Sequence, residues 1–140
     1  MQLNPYLFFD GKCEAAFKFY EQTLGAKIEA MMPYEGSPAA EQVPAEARKR
    51  ILHAMLRIGD QVLMASDEAP GKYEAPRGFY VSINLQDPSE AERVFGALSK
   101  GGNITLPIAK TFWADRFGMV VDQFGIPWMI NCAQAATKVA

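Results

Sequence analysis

CEAAFKFYEQTLGAKI (13–28) and SEAERVFGALSKGGNI (89–104) are the stretches whose comparison decides the fold. Ala15, Phe19, Gly25 and Ile28 of the first recur, type for type, as Ala91, Phe95, Gly101 and Ile104 of the second, at one offset of 76 residues. Asp10 and Asp87 precede the two stretches at nearly equal distances. Self-similarity at a fixed spacing marks a duplicated structural unit.

Each stretch reads as a helix. In the first, Ala15, Ala16, Phe19, Tyr20 and Leu24 recur at helical spacing. Gly25 follows and suits the left-handed position that ends a helix. In the second, Asp87 and Pro88 suit an N-cap with proline in the first turn. Ala91, Val94, Phe95 and Leu98 then form the apolar stripe, and Gly101-Gly102 stops it.

Working outward, strands flank both helices. Leu3–Phe9 precedes the first, with Pro5 near its start, and Tyr80–Leu85 precedes the second. Lys27–Met32, Ile51–Ile58 and Gln61–Ser66 follow the first helix, the last two joined by a Gly59-Asp60 turn. Asn103–Pro107, Phe117–Asp122 and Ile126–Asn131 follow the second, with a turn at Phe124-Gly125. Each copy is therefore β-α-β-β-β, and the chain reads as one α+β domain over 1–140. Its first module spans about 1–67, a Pro- and Gly-containing linker about 68–78, and its second module about 79–132. The tail 133–140 is small and polar and is expected to fray. The copies differ mainly in 33–49, a connection long enough to be a lid or a variable surface loop. Pro44–Arg50 within it could form a short helix.

Composition narrows the class of function. The chain has 140 residues, 49% of them hydrophobic and 21% charged, with a formal charge of −2. A chain of that size folds without disulfides or metals. Arg48, Lys49 and Arg50 form the one short basic cluster, which reads as a solvated helix end, so nucleic acid is not an expected partner. No apolar run approaches the ~20 residues that span a bilayer, and no signal-peptide pattern opens the chain. Cys13 and Cys132 lie far apart with no metal-ligand spacing, so a reduced, cytoplasmic protein is the expectation.

Pro5-Tyr6-Leu7-Phe8-Phe9-Asp10-Gly11, Cys13-Glu14-Ala15-Ala16, Phe19-Tyr20, His53-Ala54-x-Leu56 and Leu63-Met64-Ala65-Ser66-Asp67 form one set of familiar segments. Thr111-Phe112-Trp113-x3-Phe117-Gly118, Asp122-x-Phe124-Gly125 and Trp128-Met129-Ile130-Asn131 form another. Together they resemble the PhnB-like group of the vicinal oxygen chelate superfamily, which holds glyoxalase I, extradiol dioxygenases, fosfomycin-resistance proteins and bleomycin-binding proteins. The resemblance implies a curled eight-stranded arrangement around a cavity, with helices on the convex face, and a homodimer. PhnB-like proteins often carry an inherited demethylubiquinone methyltransferase name. No glycine-rich cofactor loop supports that chemistry here, and no cofactor is expected.

Enzymes of the resembled superfamily hold a divalent ion with His and Glu on the first and last strands of each half. Carried over by strand alignment, those positions are Asn4, Leu63 or Met64, Tyr80 and Met129. None is a His or a carboxylate, and thioether sulfur suits such ions poorly. His53 is the one histidine. Asp67 or Asp122 could assist, but no metal is expected.

Tyr6, Phe8, His53, Met64, Tyr80, Trp113 and Met129 are the expected pocket residues. Tyr6 and Phe8 share one face of the first strand with Asn4, and Met64 and Met129 are pseudo-symmetric flexible liners. His53 reads either as a general base, the one weak catalytic candidate, or as a half-buried strand histidine bonded to backbone. Trp113 reads as a stacking wall or as local packing, and Trp128 as core. Asp67 and Asp122 read as loop caps before ligand contacts. Cys13 lies in a helix and Cys132 at the fraying end, so no nucleophile is argued. Two functions follow. One is a metal-free protein binding a small, partly aromatic molecule between the halves; the other is a lyase, isomerase or dioxygenase-type enzyme with an atypical site. A regulatory dimer without ligand is a third.

Overall fold

The computed structural model describes residues 1–134; the expected fraying of the tail falls almost wholly outside the described residues. The chain divides into two compact units between Glu74 and Ala75. Each is a four-stranded mixed sheet with one helix against it, and neither sheet closes into a barrel.

In the first unit, β1 (Tyr6–Phe9) leads to α1 (Cys13–Leu24), then β2 (Lys27–Pro33), β3 (Ile51–Ile58) and β4 (Gln61–Asp67). The order across the sheet is β1-β4-β3-β2, with β1 parallel to β4 and the rest antiparallel. The second unit repeats this with β5 (Val81–Leu85), α2 (Pro88–Ser99), β6 (Asn103–Ala109), β7 (Ala114–Val121) and β8 (Pro127–Ala133), in the order β5-β8-β7-β6. The duplication extends to a defect: both second strands carry a register shift at matching places, Ile28/Ala30 and Ile104/Leu106.

Only the first two strands of each unit keep the offset of 76: Tyr6 and Ser82 take matching places opposite Met64 and Met129, and β2 and β6 share bounds at that spacing, whereas Met64 and Met129 lie 65 apart. The helices do not. Their bounds differ by 75, and the buried Ala16, Tyr20 and Thr23 of α1 correspond to Ala91, Phe95 and Leu98 of α2. The buried stripe of α1 is Cys13, Ala16, Phe17, Tyr20 and Thr23. Ala15 is exposed and Phe19 and Leu24 are half-buried, so the stripe read from sequence is turned by about one position.

Capping differs between the copies. Asp87 caps α2 from its own chain end, accepting from Ser89 N at 3.0 Å. Lys12 gives α1 no side-chain cap. Asp67, at the far end of β4, takes over: its Oδ1 accepts from Cys13 N at 3.0 Å and its Oδ2 from Ile51 N at 2.9 Å. One buried carboxylate thus ties a helix start and two strands, as a negative group at a helix N-terminus should.

Several strand boundaries move; β6, for one, runs on to Ala109. β1 starts at Tyr6, because Pro5 gives only its carbonyl, to Met64 N. Tyr80 lies just before β5. β7 begins three residues earlier than expected, at Ala114, through a bulge at Asp115. β8 reaches Ala133, so Cys132 is a fully buried strand residue and does not lie at a frayed end. In the 33–49 connection, Pro44–Arg50 supplies only a 3-10 turn at Ala45–Ala47, preceded by another at Ala40–Gln42. Buried Val43 and Ala47 fasten the connection, as does Arg50, which donates to Asp10 and to the Glu68 carbonyl. Among the described residues no helix is long and apolar enough to cross a membrane.

Candidate functional site

Strand alternation gives each sheet one face under its helix and one open face. Leu7, Phe9, Ala54, Leu56, Leu63 and Ala65 are buried beneath α1. The neighbouring positions point the other way. On the open face of the first sheet, cross-strand register sets Tyr6 beside Met64, Met64 beside Met55, and His53 beside Met32.

The expected residues Tyr6, Phe8, His53 and Met64 come together here. Tyr6 Oη lies 3.1 Å from His53 Nδ1, and either group can donate, depending on the histidine tautomer. Their rings stack at 5.9 Å and 30°, and the Phe8 ring lies 5.2 Å from that of Tyr6. His53 is therefore tied to a side chain on the open face, two strands away, and not to the backbone. Beside this cluster runs a groove of about 410 Å³, lined by Gln2, Asn4, Met55, Arg57, Val62 and Met64.

Tyr80, Trp113 and Met129 belong to the second unit. Met129 faces Met119 across the β7–β8 pair, repeating the Met55–Met64 pair of the first unit. Trp113 packs edge-on against Phe117 at 5.4 Å and against Phe112 at 4.8 Å, and Phe112 is 89% exposed. The Thr111 hydroxyl fixes this corner by accepting from Trp113 N and Ala114 N. Tyr80 Oη lies 3.3 Å from Thr105 Oγ1. Tyr80 leads into one edge strand and Thr105 lies on the other, three strands away, so this sheet curls strongly toward its open face.

The other singled-out residues are structural. Trp128 is 1% exposed and donates through Nε1 to Asp122 Oδ2 at 2.8 Å. Asp122 Oδ1 accepts from Phe124 N and Ile126 N, which shapes the β7–β8 turn. Cys13 is buried, and desolvation first, then the charges of Asp67 and Glu14, push its thiol well above the ordinary range. It is not a nucleophile at neutral pH.

At the positions that correspond to superfamily metal ligands, the first unit offers an amide (Asn4) and a thioether (Met64), and the second a phenol (Tyr80) and a thioether (Met129). Asp67 is spent on backbone N–H groups, and Asp122 on backbone N–H groups and the Trp128 indole. Among the described residues no three His, Cys, Asp or Glu side chains gather as a metal site would require. These residues do not fit such an ion.

Two units with matching β-α-β-β-β order, strand order and bulges meet a sequence match. The model of the glyoxalase/bleomycin resistance protein/dioxygenase superfamily matches residues 2–130. The chain belongs to that superfamily. Protein YjdN of Escherichia coli K12 is 37% identical over 139 residues, covering 94% of this chain and 95% of that protein. The crystal structure of protein PA1353 from Pseudomonas aeruginosa, 46% identical, superposes with a TM-score of 0.88 over 96% of this chain and 98% of that one. The PhnB protein from Bacillus cereus shares the fold at 21% identity, with a TM-score of 0.81 over 95% and 100% of the two chains.

Reading the sequence for this superfamily's site passes over Met55, Arg57, Val62 and Met119. The signal was present: 53, 55 and 57 alternate on one face, and the Gly59-Asp60 turn sets Met55 opposite Met64.

Proposed function

We propose that this member of the superfamily is a binding protein that holds a small, partly aromatic molecule on its open sheet faces, without a divalent ion and without changing it. The carrying observation is the pair of matched cross-strand methionines, Met55–Met64 and Met119–Met129, beside aromatic rings where the superfamily's enzymes place ligand-bearing strands. Thioethers and rings give an adaptable apolar surface. The expected working form is a homodimer in a reducing cytoplasm, a compartment suited to two free, buried cysteines. With a net charge of −2, nucleic acid is not the partner.

Native mass spectrometry of gently purified protein tests this reading. The expected spectrum is a dimer without stoichiometric metal, and a saturable organic adduct of unchanged mass. A dimer with about one divalent ion per subunit would overturn it.

The Tyr6–His53 contact favours a second reading, an enzyme of lyase, isomerase or dioxygenase type. A phenol and an imidazole in contact can pass a proton. That reading requires a bound molecule whose mass changes on incubation with wild-type protein and stays fixed with His53→Ala.

A further inference from the structure

The groove of the first unit has polar and apolar sides. Met55, Val62 and Met64 supply its apolar wall, while Gln2, Asn4 and Arg57 supply side-chain N–H donors. Its volume, about 410 Å³, falls in the range of small-molecule sites, roughly 300–1,000 Å³.

Arg57 decides what the groove prefers. Its Nε donates to Glu29 Oε1 at 2.7 Å, and Glu29 sits at the β2 register shift. Neither Nη1 nor Nη2 makes a hydrogen bond among the described residues. That leaves the end of the guanidinium, two parallel N–H groups matched to the two oxygens of a carboxylate. Lys27 stands directly across from Arg57 in the β2–β3 register, on the same face. Lys27 adds a second positive side chain next to Arg57 on this face.

We infer that this groove is a subsite for the oxyanion end of a small amphiphile, with the Arg57 guanidinium holding a carboxylate and Met55, Val62 and Met64 holding its apolar body. Asn4 and Gln2 add neutral donors at the same mouth. The inference deepens the proposed binding function and rests on it. A neutral hydrophobe gains nothing from Arg57, whose half-exposed guanidinium keeps Glu29 and water.

Phenylbutyrate and its neutral isostere phenylbutyramide test it, read by NMR of methyl-labelled methionine with signals assigned by Met→Leu variants. The acid is expected to shift Met55 and Met64 saturably, and the amide to bind about tenfold more weakly, ~1.4 kcal/mol. Arg57→Met should narrow that difference by weakening the acid far more than the amide, and ligand-free Met55 and Met64 signals like those of wild type show that the groove is intact. Glu29→Gln should tighten the acid and leave the amide unchanged, because it removes the competing carboxylate. Equal affinities in wild type, an Arg57→Met variant that binds the acid normally, or no shift of Met55 and Met64 would overturn the subsite. Shifts confined to Met119 and Met129 would also overturn it while leaving the small-molecule reading in place. A stoichiometric divalent ion on native protein would remove that reading itself.

Discussion

Asp67→Ala should be among the most damaging single polar substitutions in the first unit. The side chain is 3% exposed and each carboxylate oxygen accepts one backbone N–H, from Cys13 and from Ile51. Truncation leaves both donors without that partner, in a place water does not reach. Each orphaned donor costs ~1–3 kcal/mol, so the pair costs roughly 2–6 kcal/mol. Loss of a negative group at the α1 N-terminus adds ~0.3–1 kcal/mol. Against a typical total of ~5–15 kcal/mol, this is a large fraction. Asp67→Asn keeps one acceptor oxygen and turns an amide N–H toward the other donor, so it should cost about half as much.

Urea unfolding followed by far-UV circular dichroism measures the loss, and amide hydrogen exchange at Cys13 and Ile51 localises it. Both amides should lose protection in the alanine variant, and one in the asparagine variant. Asp67→Asn should also lower the Cys13 thiol toward its ordinary range, since the Asp67 charge is the second cause of its elevation. A loss below ~1 kcal/mol at unchanged denaturant slope, with both amides still protected, would refute the capping role.

Other substitutions probe the rest of the frame. Trp128→Phe removes the indole donor from buried Asp122 and should cost ~2–4 kcal/mol; a thermal melt within a degree of wild type would refute that link. Gly118→Ala places a Cβ 2.8 Å from Phe95 Cε2 and 2.9 Å from Ile108 Cα, so a destabilisation of ~1–3 kcal/mol is expected in urea. The Cys13 thiol, raised by burial, keeps its proton in the folded protein and loses it on unfolding in alkali. Its contribution is complete below the unfolded value of ~8.5 and declines above it by up to ~1.4 kcal/mol per pH unit. Stability against pH in wild type and Cys13→Ala should diverge there, and parallel curves would refute the shift. Tyr6→Phe should move the His53 ring resonances while costing under ~1 kcal/mol, because the pair is exposed.

The parts of the fold legible in the sequence are those where local chemistry and periodicity agree. Asp87-Pro88 marks a helix start because both residues act within their own turn. The Gly59-Asp60 hairpin places Met55 opposite Met64 because register follows from the turn. The face of α1 was harder to read. Ala15 and Phe19 match Ala91 and Phe95 in type, but the connection between Phe9 and Cys13 is one residue longer than that between Leu85 and Pro88. The matching letters therefore point in different directions. The start of β7 was hidden by Asp115 and Arg116, polar residues at a bulge, one of which pairs with Glu92 across the unit. Cys132 looked peripheral because the masking tail is small and polar; its burial comes from neighbours on β5 and β7.

The placement of the carboxylates argues most directly for what this site does. In a metal-binding relative of this fold, acidic side chains must sit on the open sheet faces, where an ion and its substrate can reach them. Here the strand-end carboxylate Asp67 faces inward to cap α1, and Asp122 faces inward to shape a turn and hold Trp128. Glu29, near the groove, is already bonded to Arg57. Arg57 and Lys27 lie on the same face, and a divalent cation placed there would meet like charge. The fold is the one shared by the superfamily, and its first sheet carries Arg57 and Lys27 side by side. An anion with an apolar body satisfies Arg57 and covers Met55 and Met64 at once, whereas a bare cation satisfies neither.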